Sequence, residues 1–411
     1  MKRKFVGASL MIIAALMVMF LVIGCGNDME NPTSIDDSGG VQFAPALNNE
    51  FATDRFLVGY EPGADIQAIN AASNVVILDE IPEIDVYILK VPQNSTVETM
   101  VRRFNNIPGV EFAEPDYIAR ATYIPSDPDF SKQWGLTKIQ APDAWDITKG
   151  DKAIRIAILD TGIDHDHEDL AGKIPYKIFH KNFTSSFTSD DLYGHGTHCA
   201  GIAAAVTDNG IGVAGNGFNC YLMNGKVLDD SGSGSYSWVA RGIVWAALWR
   251  AKVISMSLSG SSPSTTLERA VNFAWNRRDV VIVAAAGNDG SSTPAYPAYY
   301  ENCIAVGATD QSDRKASFSN WGPNWVDVAA PGVSIWSTLP NHGSSLGKDY
   351  GYLQGTSMAT PFVAGLAGLV WTTSYGTDNA SVRNRIESTC DPIGLVYWAH
   401  GRINDYEAVK P

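Results

Sequence analysis

Three residue types that act together in nucleophilic catalysis stand in glycine-containing motifs of this sequence. Asp160 begins the motif Asp-Thr-Gly, His195 lies within Gly-His-Gly-Thr-His, and Ser357 lies within Gly-Thr-Ser-Met-Ala. A serine hydroxyl needs a base to take its proton, and a histidine, with a reference pKa of about 6.5, suits that task near neutral pH. The histidine needs a carboxylate to fix its tautomer and to stabilise the imidazolium. Together the three motifs indicate a serine nucleophile with its base and its orienting acid.

The segment after Ser357 predicts the element that presents this serine. The run from Phe362 to Trp371 is uniformly apolar, which predicts a helix buried on all sides, with Pro361 in its first turn. Ser357 is then expected at the helix N-terminus, where free N–H groups favour negative charge. A serine at that position is usually only a helix cap, and the two upstream motifs favour the catalytic interpretation.

From Gln133 onwards, predicted strands and helices alternate, which is typical of an α/β fold with a mainly parallel sheet flanked by helices. Sites in such sheets form beyond the carboxyl ends of the strands, and Asp160 directly follows a strand-like apolar segment. The expected strands are 154–159, 253–258, 280–285 and 304–306. The expected helices are 196–206, 235–250, 266–277 and the helix that contains Ser357.

Residues 54–121 show a different order, strand–helix–strand–strand–helix–strand, which predicts a small ferredoxin-like α+β domain. The expected strands are 55–60, 75–78, 86–91 and 110–113. Ser95 and Glu98 predict a capping box at the start of the second helix, and apolar residues then recur at helical spacing up to Phe104. A linker with Pro125, Asp127 and Pro128 separates this domain from the rest of the chain, and a second domain is expected at 122–411.

The N-terminus predicts export. A basic start, Met1–Lys4, precedes an apolar run from Phe5 to Gly24. The residues that end at Cys25 resemble a bacterial lipoprotein cleavage box, so we expect a signal peptide at 1–24, lipid on Cys25 and a flexible tether at 25–53. An uncleaved membrane anchor is the alternative. The formal net charge of −14 argues against nucleic acid as a partner.

Four cysteines follow Cys25, and a domain of this size needs no disulfide framework. We therefore expect free, mostly buried thiols, although several pairings stay open from the sequence. They are Cys199, Cys220, Cys303 and Cys390.

The three motifs, in the order Asp, His, Ser, resemble those of the subtilisin-like serine proteases, nearest the thermitase branch. The resemblance extends from about residue 123 to residue 409 and implies a subtilisin-like fold. It implies that Asp160 orients the base, that His195 is general base and acid, and that Ser357 is the nucleophile. The segment Ala-Ala-Ala-Gly-Asn, which ends at Asn288, matches the oxyanion motif of the family. The Asn288 amide would join the Ser357 backbone N–H in binding the tetrahedral oxyanion.

The resemblance also implies a strand-like path for a protein or peptide substrate. The matching segments are Ser257, Leu258 and Ser259 on one side and Ser231, Gly232, Ser233 and Gly234 on the other. Ser259 stands where the family usually has glycine, and Phe362 replaces a histidine, which we expect to pack against the sheet. Since no charged residue is evident in the first specificity pocket, an apolar or aromatic side chain is expected there.

Calcium is the cofactor that the resemblance implies. The strong site of the family maps onto the side chains of Asp127, Asp169 and Asn209 and the carbonyls of Val206, Ile211 and Val213. Residues 210–215 also satisfy Gly-x-Gly-x-x-Gly, but they follow a helix, so a loop at this calcium site is favoured over a nucleotide site. His165 and His167 suggest zinc, but no third ligand is evident, so solvated loop charges are favoured.

The resemblance implies a secreted endopeptidase that is made as a zymogen and acts as a monomer. Residues 54–121 would be a prodomain that assists folding and then blocks the cleft, with self-processing within 117–124. The precursor would be lipid-anchored at the cell envelope, and the processed enzyme extracellular or periplasmic. The alternatives are an independent binding domain at 54–121 and a catalytically dead surface protein that binds peptides. A cis peptide bond is expected before Pro297.

Overall fold

The computed structural model describes residues 33–35, 41–43, 51–119 and 123–411, and the chain divides into two compact units, 1–121 and 122–411. The predicted signal peptide and the lipidation site at Cys25 lie outside the described residues. Within the predicted tether, two short strands pair antiparallel, β1 (Thr33–Ile35) with β2 (Val41–Phe43). Among the described residues, no helix is long and apolar enough to cross a membrane.

The N-terminal unit has the predicted order of strands and helices around an antiparallel sheet. The strands lie in the order β4-β5-β3-β6. The elements are β3 (Phe51–Tyr60), α1 (Ile66–Ser73), β4 (Ile77–Ile81), β5 (Val86–Lys90), α2 (Val97–Phe104) and β6 (Val110–Tyr117). Phe56 on β3 and Phe104 on α2 are both fully buried and meet edge to face, with ring centroids 5.1 Å apart. This contact anchors a helix on one face of the sheet.

The start of α2 corrects one prediction. The N-cap is Thr96 and not Ser95, because the Thr96 hydroxyl accepts the Thr99 N–H at 3.3 Å. Ser95 belongs to the preceding turn, where its N–H donates to the Pro92 carbonyl. The helix therefore begins one residue later than a capping box at Ser95 requires.

The C-terminal unit is built on an eight-stranded sheet in which every paired neighbour runs parallel, in the order β16-β13-β12-β11-β10-β7-β9-β8. A separate hairpin joins β14 and β15. The strands are β7 (Arg155–Asp160), β8 (His180–Asn182), β9 (Tyr221–Lys226), β10 (Val253–Met256), β11 (Val281–Ala285), β12 (Ile304–Thr309), β13 (Val328–Pro331), β14 (Ile335–Thr338), β15 (Tyr350–Leu353) and β16 (Gly401–Arg402).

Helices flank this sheet, and one of them presents the predicted nucleophile. The helices are α3 (Trp134–Lys138), α4 (Ala141–Ile147), α5 (His195–Ala204), α6 (Tyr236–Leu248), α7 (Thr265–Arg278), α8 (Thr356–Val370), α9 (Asn379–Ser388) and α10 (Asp405–Val409). Every residue of α8 is buried except Ser357. The predicted all-round burial of this helix is therefore confirmed, and its one partly exposed side chain is the serine.

The position of Pro361 was predicted wrongly. Because α8 begins at Thr356, Pro361 lies in the second turn instead of the first. A proline there cannot donate to the carbonyl four residues earlier, which is that of Ser357. The turn stays helical because other groups donate to this carbonyl, as described below.

Other predictions outside the site can be checked directly. Cys199, Cys220, Cys303 and Cys390 are free, and the first three are buried, as expected. The Tyr296–Pro297 bond is cis. Phe362 is 3% exposed, and its ring packs so closely against Gly135 that a Cβ atom at residue 135 would lie 2.8 Å from it. The expected role of Phe362 as a packing residue is therefore confirmed.

Candidate active site

Asp160 is the last residue of β7, at the carboxyl end of the parallel sheet where the sequence predicts the site. Its side chain is 1% exposed. The Oδ1 atom accepts the Thr161 N–H at 2.7 Å and the His195 Nδ1–H at 2.7 Å. These two bonds fix the orientation of the carboxylate and aim it at the imidazole.

His195 is the first residue of α5, and a close approach of backbones places it there. A Cβ atom added at the next residue, Gly196, would lie 2.1 Å from the Gly162 carbonyl oxygen, so only glycine fits. Burial alone would lower the pKa of His195, but the negative charge of Asp160 outweighs this and raises the pKa well above 6.5. In this pair a buried carboxylate thus stabilises the charged form of a partly exposed imidazole.

Ser357 lies at the second position of α8, two residues after the N-cap Gly355. Gly355 has φ 153° and ψ 164°, a region that is essentially restricted to glycine. The Ser357 hydroxyl donates to the Ser257 carbonyl at 3.3 Å. Among the described residues, the structure gives no hydrogen bond between the Ser357 hydroxyl and His195. The hydroxyl must therefore leave Ser257 before it can give a proton to the imidazole.

Two side chains that the sequence did not connect with the Ser357 carbonyl replace the donor missing at Pro361. The Ser257 hydroxyl donates to the Ser357 carbonyl at 2.7 Å, and the Cys199 thiol donates to it at 3.4 Å. The Cys199 sulfur also lies 3.9 Å from His195 Nδ1, and burial raises the pKa of this thiol. Cys199 stands one helical turn after His195, so the i,i+4 spacing on α5 is the signal that could have identified it.

Asn288 lies just beyond the carboxyl end of β11 and is held by Thr356. Its Oδ1 accepts the Thr356 N–H at 2.8 Å and the Thr356 hydroxyl at 3.0 Å. These bonds leave the amide nitrogen as the donor end. A Cβ atom built on Gly355 would lie 3.4 Å from Asn288 Nδ2 and 3.5 Å from Ser357 N. Both N–H donors therefore reach one region of space beside the serine.

The predicted substrate segments line one cavity of about 410 Å³ together with His195. Tyr193, Leu228, Tyr236 and Val239 also line it, and no lysine, arginine or carboxylate does. Of the predicted residues it contains Ser257, Leu258, Ser259, Gly232, Ser233 and Gly234. Ser231 does not line the cavity, because its hydroxyl turns away to Asp229 Oδ1 at 2.6 Å.

The predicted calcium ligands form one cluster around two buried carboxylates. Burial raises the pKa of both Asp127 and Asp169. Among the described residues, Asp127 Oδ1 is buried and has no hydrogen-bond partner, so this oxygen is available as a ligand for a cation. The Val213 N–H donates to Asp169 Oδ2 at 2.7 Å, and the Val206 N–H donates to the Asp169 carbonyl.

Asn209 belongs to the same cluster, but its side-chain nitrogen, and not its oxygen, points to Asp169. Its Nδ2 donates to Asp169 Oδ1 at 2.8 Å, while its Oδ1 accepts the Ile211 N–H. A cation between Asn209 and Asp169 would require the amide to turn its oxygen inward. The loop 210–215 thus contacts a carboxylate, which agrees with a cation loop and not with a nucleotide site.

The chain belongs to the subtilase family, since residues 151–401 match that family and include Asp160, His195 and Ser357. Residues 40–116 match the fervidolysin N-terminal prodomain. The protein is therefore a serine-type endopeptidase of the subtilisin class with an N-terminal prodomain.

Individual relatives agree with this assignment and with the thermitase branch. The chain is 51% identical over 292 residues to thermitase of Thermoactinomyces vulgaris, covering 70% of this chain and all of thermitase. It is 49% identical over 317 residues to the thermophilic serine proteinase of Bacillus sp. strain AK1, covering 76% of each chain. Subtilisin E of Bacillus subtilis is 41% identical over 320 residues, with 76% of this chain and 79% of the relative covered.

Proposed function

We propose that this endopeptidase works through an acyl-enzyme on Ser357, with His195 as general base and acid and Asp160 as the orienting acid. The observation that supports this most is the hydrogen bond from His195 Nδ1 to buried Asp160 Oδ1 at 2.7 Å. With the Nδ1 proton held by Asp160, the lone pair of a neutral imidazole is on Nε2, which can accept the serine proton.

In acylation, Ser357 Oγ attacks the carbonyl carbon of the scissile bond while its proton passes to His195 Nε2. The imidazolium then protonates the leaving amine as the C–N bond breaks. In deacylation, water gives a proton to His195 and attacks the ester, and His195 returns the proton to Ser357. The Asp160 carboxylate stays ionised and stabilises the imidazolium in both halves.

The oxyanion of each tetrahedral intermediate is bound by Asn288 Nδ2 and the Ser357 N–H. The two donor nitrogens lie 3.4 and 3.5 Å from the same point, the position of a Cβ atom built on Gly355, and this convergence supports the role. Thr356 acts as a positioning residue, because both of its donors hold Asn288 Oδ1. Such preorganised donors act on charge that develops in the transition state.

The substrate binds as an added strand between residues 231–234 and residues 257–259. The cavity beside His195 is lined by Leu228, Tyr236 and Val239. Because its lining has no charged side chain apart from His195, an apolar or aromatic residue on the acyl side of the cleaved bond is favoured. The exposed Ser259 side chain narrows the entrance where the family usually has glycine.

Calcium is the cofactor we propose, held by Asp127, Asp169 and Asn209 with the carbonyls of Val206, Ile211 and Val213. The unpartnered Asp127 Oδ1 and the buried charge of Asp169 fit a hard cation with oxygen ligands. Bound calcium would offset the repulsion of these carboxylates and stabilise the fold, without a role in the bond cleavage.

The chain is proposed to be exported as a zymogen, with residues 54–121 as its folding assistant and intramolecular inhibitor. The match to the fervidolysin N-terminal prodomain supports this. Lipid on Cys25 would hold the precursor at the cell envelope. Because the cut within 117–124 lies after Cys25, self-processing would release the enzyme to the periplasm or the exterior as a monomer.

Labelling with a serine-directed fluorophosphonate tests the catalytic proposal. The active chain should incorporate one label, and Ser357→Ala should incorporate none and hydrolyse no casein. Ser231→Ala, which removes another hydroxyl of the substrate-binding region, should label normally. Peptide binding without labelling would favour the alternative, a catalytically dead peptide-binding protein.

Fractionation of expressing cells tests the processing proposal. Wild-type cells should release a catalytic fragment that begins near Tyr123, whereas Ser357→Ala cells should keep the full-length chain with the membranes. Cys25→Ser should lose lipid attachment and keep proteolysis. Active enzyme that still carries Cys25 and sediments with membranes would contradict this proposal.

A further inference from the structure

Three segments beside the catalytic residues bring ligand-type side chains together. Asp164 follows β7, Asp190 precedes α5, and His342 follows β14. One donor atom of each lies within 4.8 Å of the donor atoms of the other two. No residue of this group belongs to the calcium cluster or to the Asp160–His195 pair. The group contains an imidazole as well as two carboxylates, so its chemistry differs from that of an acidic loop.

The spacing of the donors is close to that of a tetrahedral site. Zinc bonds to nitrogen and oxygen are about 2.1 Å long, which places tetrahedral donor atoms about 3.4 Å apart. His342 Nε2 and Asp190 Oδ2 are 3.4 Å apart. The distance between any two donor atoms of the group is at most 4.8 Å. An inward movement of less than about 1 Å at each ligand would therefore bring the donor atoms to the tetrahedral spacing.

The tautomer of His342 is set by its backbone. Nδ1 lies 2.8 Å from the Gly343 carbonyl, so this nitrogen carries a proton and donates it. The lone pair of the neutral imidazole is then on Nε2, which faces the Asp190 carboxylate. A carbonyl or carboxylate partner on the second ring nitrogen is the usual arrangement around a metal-bound histidine.

Asp164 is fully buried, and the backbone holds its carboxylate. Oδ2 accepts the Asn341 N–H at 2.7 Å, and Oδ1 accepts the Asp166 N–H at 3.2 Å. Asn341 directly precedes His342, so the same short segment positions two of the three ligands. The Asn341 amide also reaches Asp166 Oδ1 at 3.2 Å, which leaves a third carboxylate beside the site.

We propose that Asp164, Asp190 and His342 bind one zinc ion, with water as the fourth ligand. The imidazole nitrogen favours a transition metal, because calcium takes oxygen ligands. The sequence favoured solvated loop charges over zinc at His165 and His167, because no third ligand was evident. The structure shows that His167 is already used by Asp349 and Asp169, whereas His342, far along the chain, completes the group.

Zinc at this position would tie together the segment after Asp160 and the segment before His195. It would therefore stabilise the pair that the catalytic mechanism depends on. The site takes no part in the cleavage steps, so its test does not depend on proteolysis.

The experiment measures zinc binding to the full chain carrying Ser357→Ala, which prevents self-digestion, in buffer with excess calcium. After incubation with Zn²⁺ and gel filtration, the chain should retain one zinc by mass spectrometry, and titration calorimetry should give one site. His342→Ala and Asp190→Asn should each weaken the affinity by more than about 100-fold, the upper range for loss of an outer partner of a metal ligand. Circular dichroism checks that each variant is folded.

The matched control is His400→Ala. His400 is a partly exposed histidine that faces Glu387 at 3.7 Å, and it should leave zinc binding unchanged. No zinc retained by the folded parent, or the same affinity after His342→Ala, would overturn the site. Zinc that survives His342→Ala but is lost in Cys199→Ala would place the ion at the Asp160, His195 and Cys199 donors instead, and would also overturn it.

Discussion

Ser257 and Ser357 exchange hydrogen bonds in both directions: the Ser257 hydroxyl donates to the Ser357 carbonyl at 2.7 Å, and the Ser357 hydroxyl donates to the Ser257 carbonyl at 3.3 Å. The first bond exists because Pro361 has no N–H for that carbonyl. The second holds the proposed nucleophile at the carboxyl end of β10. The start of α8 is thereby joined to the sheet by a side chain of the substrate-binding segment.

This relationship predicts a rescue. In the Ser357→Ala background, Ser257→Ala should lower the free energy of unfolding by about 1–3 kcal/mol, because a buried carbonyl keeps only the Cys199 thiol as donor. Adding Pro361→Ala should recover part of the loss, since a backbone N–H at 361 can donate to the carbonyl of residue 357. Urea unfolding of the four chains in a double-mutant cycle measures the coupling. Strictly additive effects would contradict the assignment.

Asn288→Ala should lower kcat by roughly 10²–10³ with little change in KM, a magnitude that comes from a member of this family. Thr356→Val should lower kcat by about fivefold, because the loss of one hydrogen bond of about 1 kcal/mol leaves the Asn288 amide less well oriented. Thr356→Ser keeps the hydroxyl and is the control, with kcat near that of the parent. Steady-state kinetics on a p-nitroanilide peptide would separate these outcomes. A rise in KM with constant kcat would exclude the oxyanion role.

The pH dependence follows from His195. The base must be neutral, and Asp160 raises its pKa well above 6.5, so kcat/KM should increase with pH and reach half its maximum above pH 6.5. In Asp160→Asn the charge is lost while burial remains, so the acid limb should move to lower pH as kcat falls by roughly 10⁴-fold. An unchanged acid limb in this variant would show that another group controls the profile.

Asp405 should make the catalytic unit less stable at high pH. Its side chain is fully buried beside Asn216, and burial raises its pKa well above 3.8 although the contact with Asn216 opposes this shift. The native state therefore retains a proton that the unfolded chain loses at about pH 4, and this contribution to stability decreases as pH rises through the native pKa. At pH 9, the free energy of unfolding of Asp405→Asn, measured with urea, should exceed that of the parent by about 1–3 kcal/mol. This difference should shrink toward pH 4. A constant difference across this range would contradict the buried proton.

Removal of calcium should lower the melting temperature of the mature enzyme. A ligand present at 100 times its Kd and bound only by the native state contributes about 2.7 kcal/mol, which corresponds to roughly 5–10 °C. Asp169→Asn should show a much smaller difference between melts with calcium and with chelator. Glu301→Gln, a change at an exposed acid, should behave like the parent. Coincident parent melts would argue against the site.

Local sequence patterns were enough to predict the three proposed catalytic residues. Asp160, His195 and Ser357 each belong to a short glycine-containing motif at an element boundary, and the structure puts Asp160 and His195 in contact. The strand β9 escaped prediction because it contains Asn, Gly and Lys. Lys226 is nevertheless fully buried there, and its ammonium group bonds to the carbonyls of Thr161 and Asp190. The Asp230 carboxylate, 2.8 Å from the same ammonium group, also compensates this buried charge.

The contacts that the sequence did not reveal share one cause. The hydrogen bonds between Ser257 and Ser357, and the proximity of His342 to Asp164 and Asp190, join residues far apart in the chain that no periodicity connects. Ser357 lies at the helix N-terminus as expected, but Pro361 lies in the second turn, where a proline normally argues against a helix. Distant side chains compensate for that proline, so the local rule gave the wrong turn for Pro361.

The parallel order of the main sheet has a kinetic consequence. No hairpin joins its neighbouring strands, so each pairing requires a long crossover, and such topologies fold slowly. Asp160, His195 and Ser357 arrive on three separate elements, and a chain has no cleavage machinery until all three have docked. During this delay, unfolded chains coexist with active molecules that folded earlier. The folded molecules can cleave the unfolded chains as substrates. The yield of intact protein should therefore decrease as the concentration of refolding chains rises, and an inhibitor of the folded molecules should restore it.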